Sequence, residues 1–449
     1  MRTAILFCGI LLSGAANAAD LMQTYRDAQS QDAVFAAARA ALSAGQEKEA
    51  QGRSGLLPNI GLNATTNYNN QDIQYRGATT FPGGLRKYNS SGYTLSLTQP
   101  LYRKQNFAQY QQGKIQALQA ETQFKAANQD LILRVAQAYF DVLLAQNNVE
   151  LAAAQKTAIG EQLAQAKRNF EVGTATITDT HEAQARFDLV SAQEIVAQND
   201  LEIKKRALQQ IIGAMPGAPL PLGKKFELRL PEPNSIDAWV ERAEQASPQV
   251  LIQQELFDLA NQNVELNRGG HYPTLDAVAS YGQNSVGAST FGVGSDTTTK
   301  IVGLQLNLPL YQGGGISSKV REAIANQDKA RQDLENARRK AALDARQAFL
   351  GATSGTAQVK ALEQALVSSQ SSLDSTKLGQ EVGVRTGVDV LNAQQQLYSA
   401  KRDLSQARYN YILNLLRLEA AVGQLDEEDL TRVNAWLGND EAGSPANHS

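Results

Sequence analysis

Two stretches of the chain carry apolar side chains at alternating three- and four-residue intervals. The clearer stretch lies in the second half and runs through Val390, Ala393, Leu397, Ala400, Leu404, Ala407 and Tyr411. Its counterpart in the first half, with one polar interruption, runs through Thr180, Ala183, Phe187, Val190, Glu194, Ala197 and Leu201. This spacing is typical of a coiled-coil seam, and alternation of alanine with larger residues favours close helix packing. Taken alone, such a stripe indicates an ordinary core seam more often than a functional surface.

Each half of the chain is predicted to contain one long helix and two shorter ones. The predicted long helices span 104–170 and 317–380, and the shorter ones span 20–52, 176–212, 235–268 and 386–422. A helix of about 67 residues extends roughly 100 Å, which the two shorter helices match when placed end to end. Each half is therefore predicted to be a hairpin whose returning arm is two stacked short helices.

Strand-like segments lie between the first short helix and the long helix of each half. Tyr93, Leu95 and Leu97 alternate with polar residues, and a second alternating series is Val302, Leu304, Leu306 and Leu308. This period of two predicts strands with one face in lipid and one in water. The paired strands start near Ile60 and Leu275, and the polar links 69–91 and 282–299 are predicted to be exposed loops.

The two halves of the chain resemble each other. The segment 171–184 reads EVGTATITDTHEAQ and the segment 381–394 reads EVGVRTGVDVLNAQ. Their separation of about 210 residues exceeds any solenoid repeat and indicates a tandem duplication. The predicted organisation is a signal peptide, a first repeat, a Pro-rich linker that forms an equatorial belt with the tail, a second repeat, and a tail disordered from about 440. These parts span 1–18, 19–212, 213–234, 235–423 and 424–449.

The N-terminus has the pattern of a secretory signal. Arg2 precedes an apolar run over 4–12, and Ala16-Asn17-Ala18 fits a cleavage site with small residues, so the mature chain is expected to begin at Ala19. Cys8, the single cysteine of the sequence, would be removed with this signal, which excludes disulfides. A net charge of −3 gives no electrostatic reason to expect a nucleic-acid partner. The chain is thus expected to be periplasmic, secreted, or inserted in a membrane through strands, because no apolar run long enough for a spanning helix follows.

Four strands per chain imply self-association if those strands lie in lipid. An open sheet edge in lipid leaves unsatisfied backbone groups, each costing several kcal/mol. Two copies would give eight strands with a filled interior, and three copies would give twelve strands with room for a channel.

The sequence closely resembles the TolC family of outer-membrane channel proteins. The resemblance covers about 20–435 and is carried by the two VG-x-x-T-x-x-D turns (172–179 and 382–389), the strand starts LPNI and HYPTLD, LPLYQGG (308–314) and ARYNYILNLLRLEAAVG (407–423). It implies a homotrimer in the outer membrane of a Gram-negative bacterium, with a twelve-stranded β-barrel continued by a twelve-helix α-helical coiled-coil tunnel in the periplasm. It also implies a passive exit duct for type I protein secretion and multidrug efflux. The implied partners are outer-membrane lipid, a periplasmic adaptor, and an inner-membrane ABC or proton-driven RND-type transporter.

The repeated turns carry the signals that end one helix and begin the next. Gly173 and Gly383 suit the left-handed residue after a helix. Thr176 and Thr386 suit the N-cap of the following helix, with Asp179 and Asp389 three residues later completing capping boxes.

The resemblance assigns a gate to the same turns. The family closes the inner mouth of the tunnel with contacts among residues that match Thr178, Asp179, Gln380, Arg385 and Asp389. Arg385 is expected to bind neighbouring hairpins, and three copies of Asp389 are expected to form an acidic ring. The chain departs from the family pattern in two places, because relatives often carry tyrosine where it has Gln380 and a second aspartate where it has Asn392. Because Asn392 cannot form the second acidic ring that an aspartate at this position would give, any block of the channel by cations is expected to be weaker.

No pattern for enzymatic chemistry or for a cofactor stands out. His181, His271 and His448 lack metal-ligand spacing, and GAPLPLGKK over 217–225 departs from the phosphate-loop spacing. The chain is therefore not expected to be an enzyme. The alternatives to an exit duct are a trimeric surface adhesin or structural coiled coil with a β-barrel anchor, and a soluble periplasmic helical adaptor. The adhesin would need a large exposed head, and the adaptor would leave the two-faced strands unexplained.

Overall fold

The computed structural model describes residues 20–77, 80, 83–223, 225–288 and 293–438. The predicted signal peptide, Cys8, His448 and the predicted disordered end lie outside these described residues. In the described ranges, no helix is both long enough and apolar enough to span a bilayer.

The helices follow the duplicated order that the sequence predicts. The long helices α3 and α7 and the shorter helices after them, α4 and α8, match their predicted bounds to within two residues. The helices are α1 (Leu21–Gln31), α2 (Ala33–Ser54), α3 (Lys104–Glu171), α4 (Ile177–Ile212), α5 (Ile236–Ala246), α6 (Pro248–Arg268), α7 (Gly315–Glu381), α8 (Gly387–Ala421) and α9 (Glu427–Asn434). A short 3₁₀ turn, Gly269–His271, follows α6.

The prediction of one continuous helix before each strand pair is wrong. Asp32 separates α1 from α2 with extended backbone, and Ser247 separates α5 from α6 with a non-helical ψ of 131°. The buried Asp32 carboxylate accepts a hydrogen bond from the Phe35 N–H at 2.6 Å and so caps α2. In the second repeat, Pro248 begins α6, where proline lacks only an N–H that would be unpaired anyway.

The four strands form one antiparallel sheet with the order β1-β2-β3-β4. Their bounds are β1 (Asn59–Ile73), β2 (Gly84–Tyr102), β3 (Thr274–Val286) and β4 (Ser295–Asn307). The prediction that 69–91 and 282–299 are loops is wrong over most of both segments, since Asn69 pairs with Tyr88 and Gly282 with Thr299. Ladder hydrogen bonds hold these polar residues in strands without an apolar face, so the apolar pattern underestimates the strand length.

The register collects the apolar residues on one face of the sheet. Ile60 lies opposite Leu97, Leu97 opposite Ala279, and Ala279 opposite Val302, which gives one apolar row across all four strands. Val302 is 90% exposed in the single chain. The other face is mostly polar and borders a cavity of about 650 Å³ whose lining includes Asn63, Thr94 and Asn284, with Ile301 as an apolar member. An exposed apolar face opposite a mostly polar face fits a sheet between lipid and water.

The main hydrophobic core lies in one of two compact units, whose described residues fall within 20–40, 124–251 and 337–438. Its buried members include Leu21, Tyr139, Leu208 and Tyr411. Tyr139 and Tyr411 also anchor the linker, because their hydroxyls accept hydrogen bonds from the Leu220 and Arg229 N–H groups, both at 2.8 Å.

The linker and the C-terminal tail pack on each other within this unit. Leu222 and Leu437 form an isolated antiparallel bridge, and the Phe226 ring lies 5.7 Å from the Trp436 ring, measured between centroids. The described parts of the linker and the tail, which the sequence analysis assigns to an equatorial belt, thus contact each other.

The second compact unit contains 41–123 and 252–336. Its α2 and α3 segments approach closely at glycines, and a Cβ atom at Gly113 would lie 2.5 Å from the Lys48 carbonyl oxygen. At the junction of sheet and helices, Arg103 binds both carboxylate oxygens of the buried Asp276, at 2.7 and 2.6 Å. This bidentate ion pair fixes the start of α3 against β3.

Candidate gate at the paired helix turns

The two repeated turns end their long helices in the same way. Gly173 and Gly383 have φ values of 78° and 79°, in the left-handed region that favours glycine. After α3, the Thr174 N–H donates to the Asn169 carbonyl at 2.8 Å, and after α7 the Val384 N–H donates to the Gly379 carbonyl at 2.9 Å. These bonds are those of a Schellman motif, so both predicted helix ends are confirmed.

The predicted capping boxes are also present. Asp179 Oδ2 accepts hydrogen bonds from the Thr176 N–H at 2.9 Å and the Thr176 hydroxyl at 2.8 Å. Asp389 Oδ2 accepts the equivalent bonds from Thr386, both at 2.9 Å. The capping bonds therefore fix the position of each candidate gate carboxylate relative to its helix.

The turns of the two repeats lie side by side and enclose a crevice of about 240 Å³. Asp179 from the first repeat and Gln380 and Arg385 from the second line this crevice. Thr178 is exposed on the first turn of α4. The structure thus brings three of the predicted gate residues to one place within a single chain.

Arg385 folds back over the end of α7. A Cβ atom at Gly379 would lie 2.7 Å from Arg385 Cγ, so the glycine makes room for this side chain. Arg385 makes no side-chain hydrogen bond and no ion pair within 4.0 Å to any described residue. The hydrogen bonds from the Thr386 N–H and hydroxyl, and to a smaller extent the positive charge of Arg385, lower the pKa of Asp389 below its ordinary 3.8. Asp389 is therefore ionised at neutral pH, and the Arg385 guanidinium acts on it only through its charge, without a hydrogen bond or an ion pair within 4.0 Å among the described residues.

Asn392, where an aspartate would be expected, binds an arginine that the sequence analysis missed. Arg186 Nη2 donates to Asn392 Oδ1 at 3.2 Å, and Arg186 Nη1 donates to Gln395 Oε1 at 2.9 Å. The one sequence signal for Arg186 is its position seven residues after Asp179, two helical turns along the same face.

The helices are weakly packed near the turns. Two small clusters lie there: Ile159, Val190 and Leu391 with Phe187 against them, and Leu373, Val390 and Leu397 with Leu366 and Ala393 against them. Several buried polar atoms in the described part of these helices lack a hydrogen-bond partner: Gln162 Oε1, Thr180 Oγ1, Ser191 Oγ and Gln394 Oε1. Apolar burial is thus smaller here than in the main core, and unpaired polar groups oppose packing.

A metal site is not evident in the described part of the chain. No group of three or more histidine, cysteine, aspartate or glutamate side chains in the described ranges could hold an ion. His181 is exposed near the turns, and His271 closes the 3₁₀ turn before β3.

Comparison with known proteins shows both the family and the duplication. The family model for outer membrane efflux proteins matches 24–214 and 239–424, one match in each repeat. The outer membrane protein TolC of Vibrio cholerae is 37% identical over 428 residues, which is 95% of each chain. The alkaline protease secretion protein AprF of Pseudomonas aeruginosa is 36% identical over 432 residues, covering 95% of this chain and 89% of that protein.

A solved structure shows the same fold at lower sequence identity. The CmeC outer membrane channel of Campylobacter jejuni superposes with a TM-score of 0.78 over 93% of this chain and 90% of that chain. Its sequence identity of 19% limits this likeness to the fold.

Proposed function

The chain belongs to the outer membrane efflux protein family, and from this premise we propose that it forms a passive exit duct for type I protein secretion and multidrug efflux. It is a transport protein of the outer membrane of a Gram-negative bacterium, and its helices lie in the periplasm. The observation that best supports a duct is the four-stranded sheet with one apolar and one polar face, in a chain whose helices match the family. The name of the Pseudomonas aeruginosa relative assigns that relative to protease secretion, and this supports the type I secretion role proposed for the present chain.

A homotrimer accounts for the open sheet. Among the described residues, β1 and β4 each pair with a strand on one side only, so both edges have unpaired backbone groups. Joining β4 of one copy to β1 of the next satisfies these groups in lipid. Three copies give a twelve-stranded barrel wide enough for a channel, whereas two copies give an eight-stranded barrel that side chains would fill. The α-helices of three copies then form the twelve-helix tunnel.

The duct needs partners that supply energy and choose the cargo. We assign these roles to a periplasmic adaptor and an inner-membrane ABC or RND-type transporter. The linker and tail layer, repeated in three copies, forms the equatorial belt around the helices.

The paired turns are proposed as the gate of this duct. Three copies place six turns around one axis, with three Asp389 carboxylates as an acidic ring. Because Arg385 has no carboxylate within 4.0 Å among the described residues of its own chain, its guanidinium is free to bind a neighbouring copy. Thr178 and Asp179 at the start of α4 are the proposed acceptors, and Gln380 helps to line the closed mouth.

Replacement of Arg385 with alanine is expected to raise single-channel conductance in planar lipid bilayers several-fold. The variant removes a charged donor from the closed mouth, and hydrogen bonds of a charged group contribute roughly 1.5–3 kcal/mol before solvent screening. Arg402→Ala is the matched control, since Arg402 is also exposed and pairs with the adjacent Asp403. Equal conductance of Arg385→Ala and wild type would remove Arg385 from the gate, and absence of any channel from the wild type would refute the duct itself.

A further inference from the structure

Arg186 joins the two repeats close to the proposed gate. Its guanidinium, on α4, donates to Gln395 Oε1 at 2.9 Å and to Asn392 Oδ1 at 3.2 Å, both on α8. The two acceptors are three residues apart and so lie on one face of α8. The planar fork of arginine suits this two-point contact, which a lysine ammonium cannot reproduce.

The bridge lies where each helix leaves its turn. Arg186 is two helical turns beyond Asp179, and Asn392 is one turn beyond Asp389. In the described part of the chain, no other side-chain hydrogen bond joins α4 to α8. The two helices cannot separate at the mouth unless the bonds of Arg186 break.

Apolar packing beside the bridge is limited. Val190 of α4 and Leu391 of α8 share one small cluster. Gln394, between the two acceptors of Arg186, is 4% exposed, and its Oε1 has no hydrogen-bond partner. This oxygen opposes tight packing of α8 in this region, because burial of an unpaired polar atom is unfavourable. The Arg186 bonds thus join α4 to α8 beside a single small apolar cluster that the two helices share in the described ranges.

We propose that Arg186 is a latch that ties α4 to α8 within one chain and stabilises the closed gate. The proposal rests on the duct function proposed above and concerns a different contact from that of Arg385, which is proposed to act between chains. Asn392 then has a role of its own as an acceptor of the latch, at a position where relatives often carry an aspartate of an acidic ring. Because both acceptors are neutral amides, the latch is weaker than an ion pair and can be released.

Arg186→Ala is expected to shift the ratio of open to closed channels by roughly three- to tenfold, since the lost bonds come from a charged donor that is partly screened by water. The measurement is single-channel conductance and open probability in planar bilayers, on trimers purified alongside the wild type. Arg206→Ala is the matched control, because Arg206 also lies on α4 but pairs with Glu202 of the same helix. Arg206→Ala should conduct as the wild type does.

Two further variants separate a latch from a general loss of structure. Arg186→Lys should give an intermediate shift, because lysine keeps the charge but not the fork. The exchange Arg186→Gln with Gln395→Arg returns the same pair in reverse and should restore the closed state towards wild type. Wild-type gating of Arg186→Ala, or failure of the exchange to restore closure, would overturn the latch. If Arg385→Ala still opens the channel in either case, the duct proposal stands, whereas a wild type without channels would refute the duct.

Discussion

Gly113→Ala is expected to destabilise the contact between α2 and α3 by about 1–2 kcal/mol, the cost of overpacking less the gain in helix propensity. The new Cβ atom would lie 2.5 Å from the Lys48 carbonyl oxygen and 3.3 Å from Glu49 Cα, which are backbone atoms that cannot rotate away. Overpacking of this kind typically costs about 1–3 kcal/mol, and here it must exceed the roughly 1 kcal/mol that alanine gains over glycine in a helix. Gly52 makes a similar approach to Gln109 and Tyr110, so the helices have no slack to absorb a shift. The apparent melting temperature in detergent, followed by circular dichroism, measures the loss.

Gly160→Ala is the control for this prediction, because Gly160 lies in the same helix α3. There the added Cβ atom would lie 3.4 Å from the Phe187 ring, at ordinary contact distance. Alanine should then stabilise the helix slightly through its higher helix propensity. Opposite signs for the two substitutions are expected. If both raise the melting temperature, close backbone contact does not limit the packing of α2 on α3.

Asp32→Ala is expected to lower the stability of the core unit by about 2–4 kcal/mol, because it removes a helix cap and half of a largely buried ion pair. Asp32 is 4% exposed and caps α2 through the Phe35 N–H. Its carboxylate also binds Arg134 at 2.9 Å. In the variant, Arg134 keeps Asp130 as its one remaining ion-pair partner among the described residues. Thermal unfolding and protease resistance of the detergent-solubilised protein measure the effect.

Asp32→Asn serves as the partial variant, since it keeps an oxygen to accept the Phe35 bond but loses the charge. The hydrogen bond from Arg134, the main cause, lowers the pKa of Asp32 below its ordinary 3.8. The stability from this group is therefore fully present above about 3.8 and is lost as the pH falls through the lower folded-state pKa. The gap in stability between wild type and Asp32→Ala should be constant from neutral pH to about pH 5 and should narrow in stronger acid. A gap that does not change with acid would contradict the ion-pair contribution.

The helices were the most predictable part of the fold. The spacing around Leu397 and Leu404 and the paired turns at Gly173 and Gly383 are local signals, and they placed α3, α4, α7 and α8 to within two residues. The breaks at Asp32 and Ser247 were missed. A single aspartate inside an alanine-rich helix is tolerated. Asp32 caps α2 through the nearby Phe35 N–H, but Arg134, the charge that compensates the burial of its carboxylate, is distant in sequence.

The candidate gate was predictable in its caps and not in its cross-links. Thr176 with Asp179 and Thr386 with Asp389 follow from a three-residue spacing that acts within one helical turn. The contact of Arg186 with Asn392 joins the two repeats, and no local pattern specifies which residues of two helices face each other at the mouth.

Residue types and their spacing were enough to predict the helical hairpins, their caps and the two-faced strands, because each of these depends on residues within a few helical turns or along one strand. The duplication was visible as similarity between the two halves of the chain. Only the folded structure shows how far the polar strands extend, where the short helices break and which side chain bridges α4 and α8. Those features depend on backbone pairing and side-chain contacts between segments far apart in the chain. The free energy of each such contact depends on where both segments lie in the fold.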